Sequence, residues 1–415
     1  MGGEAVSVRV VCRIRPINKN EEKKGEKSVV IFKGENGVTT EAHSKKCFNF
    51  DAVLQPEVTQ EEVFEEGMRP IIEHVLKGYN ATVFAYGQTA SGKTFTMEGA
   101  LSDEKGKGVI PRMVEALFKC VEGNNDAKLT IHLSYFEIYN EKLQDLLKPE
   151  SDNLPVHEKN GAPYVKGLHE EALKTPKEVM KWIEKGKKSR HIGKTNMNEH
   201  SSRSHSVVQL KVEQSTMKGK SSSLLFLVDL AGSEKVAKTG ATGQTLNEAK
   251  NINKSLSCLG NVINALTDKK KAHVPYRDSK LTRILQESLG GNARTTMVIC
   301  CSPAKMNEAE TQSTLMFGQR VKTIKNNVKA NTEKSSEYWM KMYNNECNKG
   351  AKIKVLVLKL IKEAKEHRKG GKPKPEVDLD ELKKLLEDFG KGDADAKIEK
   401  MGDDGGGGGG GANVC

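Results

Sequence analysis

Runs of apolar and polar positions along the chain mark out strands and helices in turn. Residues 6–14 (VSVRVVCRI) read as a strand, closed by Arg15-Pro16 because the residue before a proline is steered away from helical geometry. Between 60 and 78, Val63, Phe64, Met68, Ile71, Ile72, Val75 and Leu76 recur at helical spacing, which predicts one helix. Thr82-Val83-Phe84-Ala85-Tyr86 is an unbroken apolar run, as expected of a strand buried on both faces. Helix-compatible residues resume at Lys93. Further strands are predicted at 131–139, 207–212, 223–228 and 295–301, and helices at 141–147, 244–266 and 307–324. This mixture predicts one large α/β domain reaching about residue 330, a central mixed β-sheet flanked on both faces by helices.

Past Ile324 the character changes. Residues 325–332 (KNNVKANT) are polar and lack helical periodicity, so they read as a linker or a docking strand. Trp339 and Tyr343 open a helical segment, and 353–364 is apolar and basic. Gly370-Gly371-Lys372-Pro373-Lys374-Pro375 interrupts the chain before a short amphipathic helix with Leu379, Leu382, Leu386 and Phe389. Neither helix sustains the three or four heptads of a coiled coil, so packing on the domain is as compatible with the pattern as dimerisation. Gly405 to Gly411 reads as a flexible tail, native or appended.

The 36% hydrophobic content of the 415 residues is enough for a sizeable core, and the net charge of +12 favours an acidic partner, either nucleic acid or an acidic protein surface. Aromatics are 5%, and no basic stripe interleaved with aromatics offers stacking on bases. The eight cysteines form no C-x-x-C pair, and Cys300-Cys301 falls in an apolar run, the pattern of a reduced intracellular protein without a zinc site. No stretch of 18 apolar residues predicts membrane insertion.

The chemistry is carried by Gly87-Gln88-Thr89-Ala90-Ser91-Gly92-Lys93-Thr94, a G-x-x-x-x-G-K-[ST] phosphate loop. Its glycines let backbone N–H groups curl around an anion, Lys93 reaches the outer phosphates, and the Thr94 hydroxyl suits Mg²⁺. Two further segments suit sensing of the terminal phosphate. In Asn198-Glu199-His200-Ser201-Ser202-Arg203-Ser204-His205, hydroxyls can ligate Mg²⁺ and hold a water, and Arg203 offers a fork to a carboxylate. His200 and His205 lack further ligands at zinc spacing and read as loop framework. In Asp229-Leu230-Ala231-Gly232-Ser233-Glu234, Asp229 ends an apolar strand as a second Mg²⁺ support, Gly232 can present its N–H to the γ-phosphate, and Glu234 can pair with Arg203.

Taken in order, RIRP (13–16), YGQTASGKTFTMEG (86–99), SYFEIYNEKLQDLL (134–147), NEHSSRSH (198–205), LVDLAGSE (227–234) and HVPYRDSKLTRIL (273–285) resemble the kinesin motor domain over about residues 5–343. The text of 134–147 and 198–205 is most similar to conventional, cargo-transport kinesins. The resemblance implies a Mg²⁺-dependent ATPase that moves along microtubules toward the plus end, in the cytoplasm on the cytoskeleton. It implies catalytic roles for Lys93, Ser201, Arg203, Gly232 and Glu234. Nucleotide contacts fall to Arg13, Arg15, Pro16, Tyr86, residues 87–94, Phe95, Asn198, Ser201 and Ser202, with Phe95 where a histidine is common. Thr94, Ser202 and (through water) Asp229 would hold Mg²⁺. A cationic face of Lys235, Lys238, Lys250, Lys254, Lys269, Lys270, Lys271, Arg277, Lys280 and Arg283 would meet tubulin. The implied organisation is a cover-strand segment at 1–5, motor at 6–324, neck linker at 325–338, helical segment at 339–404 and tail at 405–415. The region after Trp339 lacks an obvious neck coiled coil, so homodimerisation is expected only through segments near the C-terminus or outside this sequence. The competing readings are an end-acting depolymerase or anchor, and a phosphate-loop enzyme of another kind.

Overall fold

The structure is a computed structural model that describes residues 4–100, 103–122, 128–151, 153–192, 202–216, 219–234, 244–268 and 273–367. The chain divides into two compact units, with the boundary after Glu333. In the first, the strands used below are β1 (Glu4–Ser7), β2 (Arg9–Ile14), β3 (Ala52–Leu54), β4 (Ala81–Tyr86), β5 (Lys128–Tyr139), β6 (Lys142–Asp145), β7 (Glu171–Leu173), β8 (His205–Thr216), β9 (Gly219–Asp229), β10 (Arg294–Cys301) and β11 (Lys325–Val328). The helices used below are α1 (Gln60–Gly67), α2 (Arg69–Leu76), α3 (Lys93–Met97), α4 (Val109–Lys119), α5 (Pro176–Ile192), α6 (Gln244–Thr267) and α7 (Glu308–Val321). In the second unit, α8 spans Ser336–His367. No helix of the described residues is long and apolar enough to cross a membrane.

The central sheet runs β7-β5-β8-β9-β4-β10-β2-β3. From β9 to β3 neighbouring strands are parallel, and from β9 outward through β8, β5 and β7 they are antiparallel. β4 lies inside the parallel half, so both of its faces need apolar cover. Phe84 packs into one core with Leu259, Val262 and Ile263 of α6 and Leu315 and Phe317 of α7. Val83 and Ala85 face the other core, with residues of α1, α2, α4 and α5. The carboxyl ends of β4 and β9 lie side by side, Ala85 opposite Asp229. That edge is where open parallel sheets bind ligands.

Three sequence expectations are corrected. Residues 60–78 form two helices, because Pro70 lacks an N–H and its ring would meet the carbonyl one turn earlier. α1 starts on a Thr59–Glu62 capping box, and α2 restarts with Pro70 in its first turn. Residues 141–147 do not form a helix. Asn140 and Glu141 take φ of 53° and 58°, the left-handed pair of a two-residue hairpin, and Lys142–Asp145 returns antiparallel on β5. The strand expected at 6–14 divides at Val8, whose N–H donates to the Ile324 carbonyl at 3.0 Å. The part before it, β1, leaves the central sheet and pairs antiparallel with β11, Glu4 opposite Val328 and Ser7 opposite Lys325.

Candidate functional site

The loop after β4 holds its shape through residues that tolerate unusual backbone angles. Gly87 has φ 152° and Gly92 φ 99°, and a Cβ at Gly87 would collide with the Cys300 carbonyl oxygen. Lys93 is buried and donates from Nζ to the carbonyls of Gly87 and Gln88, both at 2.8 Å. Burial pushes its pKa down, while Asp229 and Glu234 oppose that shift.

Thr94 Oγ1 donates to Asp229 Oδ2 at 2.6 Å. Asp229 is 2% exposed, and its other oxygen, Oδ1, is buried without a hydrogen-bond partner. Burial raises its pKa, against the pull of Arg190 and Lys93. A hydroxyl beside a carboxylate with an unsatisfied oxygen is a donor set suited to a hard cation such as Mg²⁺.

The turn after β9 lies directly on the phosphate loop. Gly232 N–H donates to the Ser202 carbonyl at 2.9 Å, and Ser233 N–H to the Gly87 carbonyl at 3.1 Å. Glu234 accepts from Thr89 N at 2.8 Å and from Thr89 Oγ1 at 2.5 Å. A Cβ at Gly232 would run into Thr89 Oγ1 and the Glu234 carboxylate, so a side chain here would have to push these two groups aside. Among the described residues Glu234 is thus held by the phosphate loop, and an Arg203–Glu234 latch is a different arrangement from this one.

Arg13 and Phe95 form a platform beside the loop. The guanidinium carbon of Arg13 sits 5.5 Å from the Phe95 ring centroid, and Nη1 donates to Gln60 Oε1 at 2.6 Å and Thr96 Oγ1 at 2.9 Å. Phe95 is 51% exposed, leaving apolar ring surface open to a stacked base. Arg15 acts as a brace: Nε donates to the Ala90 carbonyl at 2.7 Å, and Nη1 and Nη2 grip Glu21 at 2.7 and 2.6 Å. Exposed Pro16 lends its carbonyl to the same guanidinium. Tyr86 stacks on Phe317 of α7, centroids 4.0 Å apart at 10° between planes. Burial lifts its phenol to about 12, opposed by a side-chain hydrogen bond with Ser233.

Sequence reading missed a buried ionic group behind this site. Arg190 of α5 is 5% exposed and lies 3.8 Å from Glu98 and 3.6 Å from Glu137. Its Nη2 donates to Ser204 Oγ at 3.0 Å. Lys187 pairs with Glu98 at 2.6 Å. Glu21 was missed as well, although the Asn18…Glu21 capping box is legible in the sequence.

Of the expected cationic face, Lys254 is exposed on α6. Arg277 pairs with Glu158 at 3.2 Å, and Lys280 Nζ donates to Asn153 Oδ1 at 2.7 Å and the Leu154 carbonyl at 3.2 Å. Arg283 is half-buried. Asn198, Ser201, Lys235, Lys238, Lys269, Lys270 and Lys271 lie outside the described residues, as do the Lys250 side chain and residues 368–415.

A phosphate loop leaving an inner parallel strand, with an acid at the end of the adjacent strand, defines a phosphate-loop nucleotide-binding fold. The sequence profile of the kinesin motor domain matches residues 13–324, and the chain belongs to that family. It is 54% identical over 368 residues to a kinesin heavy chain of Doryteuthis pealeii, and 51% identical over 388 residues to a kinesin-1 heavy chain of Rattus norvegicus. These matches take in 88% and 92% of this chain but only 38% and 40% of the relatives, so the chain spans about two fifths of their length. Among solved structures a fast kinesin is similar, with a TM-score of 0.74 and 52% identity, over 80% of this chain and 95% of that one. Nucleotide binding comes with membership of the family.

Proposed function

We propose that this chain is a microtubule-stimulated ATPase motor that converts ATP hydrolysis into plus-end-directed movement, serving cargo transport in the cytoplasm. The observation that carries the reading is a continuous set of contacts from the phosphate loop to β11. Ser233 and Glu234 bond to Gly87 and Thr89. Tyr86, at the root of the same loop, stacks on Phe317 of α7. Arg320 of α7 donates to Asn264 of α6 at 2.9 Å, and α7 leads straight into β11. A displacement at the phosphates therefore has a packed route both to α6, with its exposed Lys254, and to the segment that pairs with β1.

Catalysis of phosphoryl transfer needs positioning and charge rather than covalent chemistry. Lys93 supplies a desolvated cation once it exchanges the Gly87 and Gln88 carbonyls for phosphate oxygens. Thr94, Ser202 and, through water, Asp229 would hold Mg²⁺, which neutralises charge on the phosphates when bound. Glu234, on leaving Thr89, would pair with Arg203 and orient the attacking water, with Ser201 and, once released from the Ser202 carbonyl, the Gly232 N–H assisting. Phe95 and Arg13 offer the stacking surface for adenine. Beyond α8, self-association through the later segments is a separate question that light scattering with and without residues 339–415 answers.

A gliding assay tests the reading. The surface-attached, C-terminally tagged chain should move microtubules with their minus ends leading in ATP. Filament shortening without translocation, or hydrolysis stimulated by DNA or RNA but not by microtubules, would overturn it.

A further inference from the structure

β8 opens at His205, whose side chain is enclosed at 2% exposure. Nδ1 accepts the Ala231 backbone N–H at 3.1 Å. A ring nitrogen that accepts carries no proton, so the proton of the neutral ring is assigned to Nε2. Nε2 then donates to Ser255 Oγ at 2.7 Å. Ala231 belongs to the turn between Asp229 and Glu234, while Ser255 is a buried residue of α6. Burial, reinforced by the Arg190 and Lys93 cations, pulls the imidazole down from 6.5 to about 3. At neutral pH the ring is uncharged, and both nitrogens are committed.

A buried histidine with both nitrogens satisfied is ordinarily a core residue and nothing more. The partners set this one apart. The next residue after Ala231 bonds to Ser202, and the one after that to Gly87 of the phosphate loop. On the other side stands α6, a helix of 24 residues that carries Lys254. The imidazole is flat and rigid, so the separation of its two nitrogens is fixed. When the turn shifts, the Ala231 N–H moves, and either the ring carries Ser255 with it or one of the two bonds breaks.

We propose that His205 is a positioning residue that ties the Asp229–Glu234 turn to α6 through its two ring nitrogens, so that α6 follows the turn as the nucleotide changes. The inference rests on the motor reading, because its readout is the grip on microtubules.

Ser255→Ala cuts the α6 side alone and leaves the Ala231 bond in place. Microtubule affinity is measured in a non-hydrolysable ATP analogue and in ADP, for wild type and variant, alongside basal and microtubule-stimulated ATPase. In Ser255→Ala the ratio of the two affinities should narrow by about fivefold or more, the low end of typical coupling between sites. Microtubule-stimulated kcat should fall with it, while basal turnover and the KM for ATP hold. His205→Asn keeps an acceptor near the Nδ1 position but cannot reach Ser255, so it should narrow the ratio equally. A wild-type ratio preserved in both variants, with or without a lower melting temperature, would make the ring a structural residue and overturn the proposal. A wild-type ratio near one would instead sink the motor reading itself, and this inference with it.

Discussion

Asn326 decides how firmly the segment after α7 holds to the domain. Its side chain is 2% exposed at the second position of β11. Nδ2 donates to the Ala293 carbonyl at 2.6 Å and the Ser288 carbonyl at 2.9 Å, with Thr295 Oγ1 at 3.2 Å, and Oδ1 accepts the Gly290 N–H at 2.7 Å. When β11 lifts away, the amide and its former partners are free to bond to water, so Asn326→Ala acts mainly on the docked state. Three well-formed bonds at about 1 kcal/mol net each give a loss of about 3 kcal/mol. Each 1.4 kcal/mol is roughly tenfold, so docked-to-undocked should fall by about two orders of magnitude. Paired spin or fluorescent labels, one at Lys329 and one on the central sheet, would report the docked fraction in an ATP analogue. Asn326→Ala should abolish the short-distance population while leaving the melting temperature of the domain nearly unchanged. A docked fraction equal to wild type would refute the argument that these bonds hold β11 down.

Glu234→Ala should leave ATP binding and microtubule attachment intact but cut turnover by about a hundredfold or more, the scale of a lost proton-handling or water-positioning group; a normal hydrolysis rate would remove Glu234 from the mechanism. Phe317→Ala deletes the ring stacked on Tyr86 and should cost about 3–5 kcal/mol, read as a lower urea midpoint. His205 has its folded pKa below its unfolded value, so the unfolded chain takes the proton first, and stability present above 6.5 is lost as pH falls toward 3. Between about pH 7.5 and pH 5.5 that linkage amounts to roughly 1.4 kcal/mol, and pulse proteolysis should show His205→Gln with a correspondingly flatter pH dependence than wild type. Replacing Lys269, Lys270 and Lys271 with alanine should lower the on-rate to microtubules at low salt, where steering is least screened; equal on-rates under those conditions would exclude a steering role.

The elements legible in the sequence are those whose burial is uniform. β4 and β9 announce themselves as apolar runs because both faces are covered, and the phosphate loop and Asp229 follow where those runs end. Segment 141–147 misleads because Leu143, Leu146 and Leu147 sit at helical spacing. The deciding fact is the left-handed backbone of Asn140 and Glu141, which is unremarkable for asparagine but rare for glutamate. At 60–78 the apolar rhythm runs through both helices and conceals the break that Pro70 imposes. Partners far apart in the chain leave no local trace. Arg190 of α5 meets Glu98 and Glu137, and His205 meets Ala231 and Ser255 of α6, only because helices and turns from different parts of the sequence pack together at the ends of the sheet strands.

One carbonyl joins the two halves of the proposed mechanism. The Gly87 oxygen accepts both from Lys93 Nζ and from the Ser233 N–H. For Lys93 to reach a phosphate it must give up that oxygen, and Ser233 then becomes its main partner. Thr89, two residues on, holds Glu234 by two bonds, so a phosphate that reshapes the loop also loosens the turn's acid. Charge-assisted hydrogen bonds contribute about 1.5–3 kcal/mol and neutral ones about 0.5–1.5 kcal/mol, so exchanging these few contacts is worth several kcal/mol in either direction. Coupling between distant sites typically needs only about 1–3 kcal/mol. The contacts around Gly87 and Thr89 are therefore large enough to set the turn's position, and the stack of Tyr86 on Phe317 places α7 within reach of the same displacement.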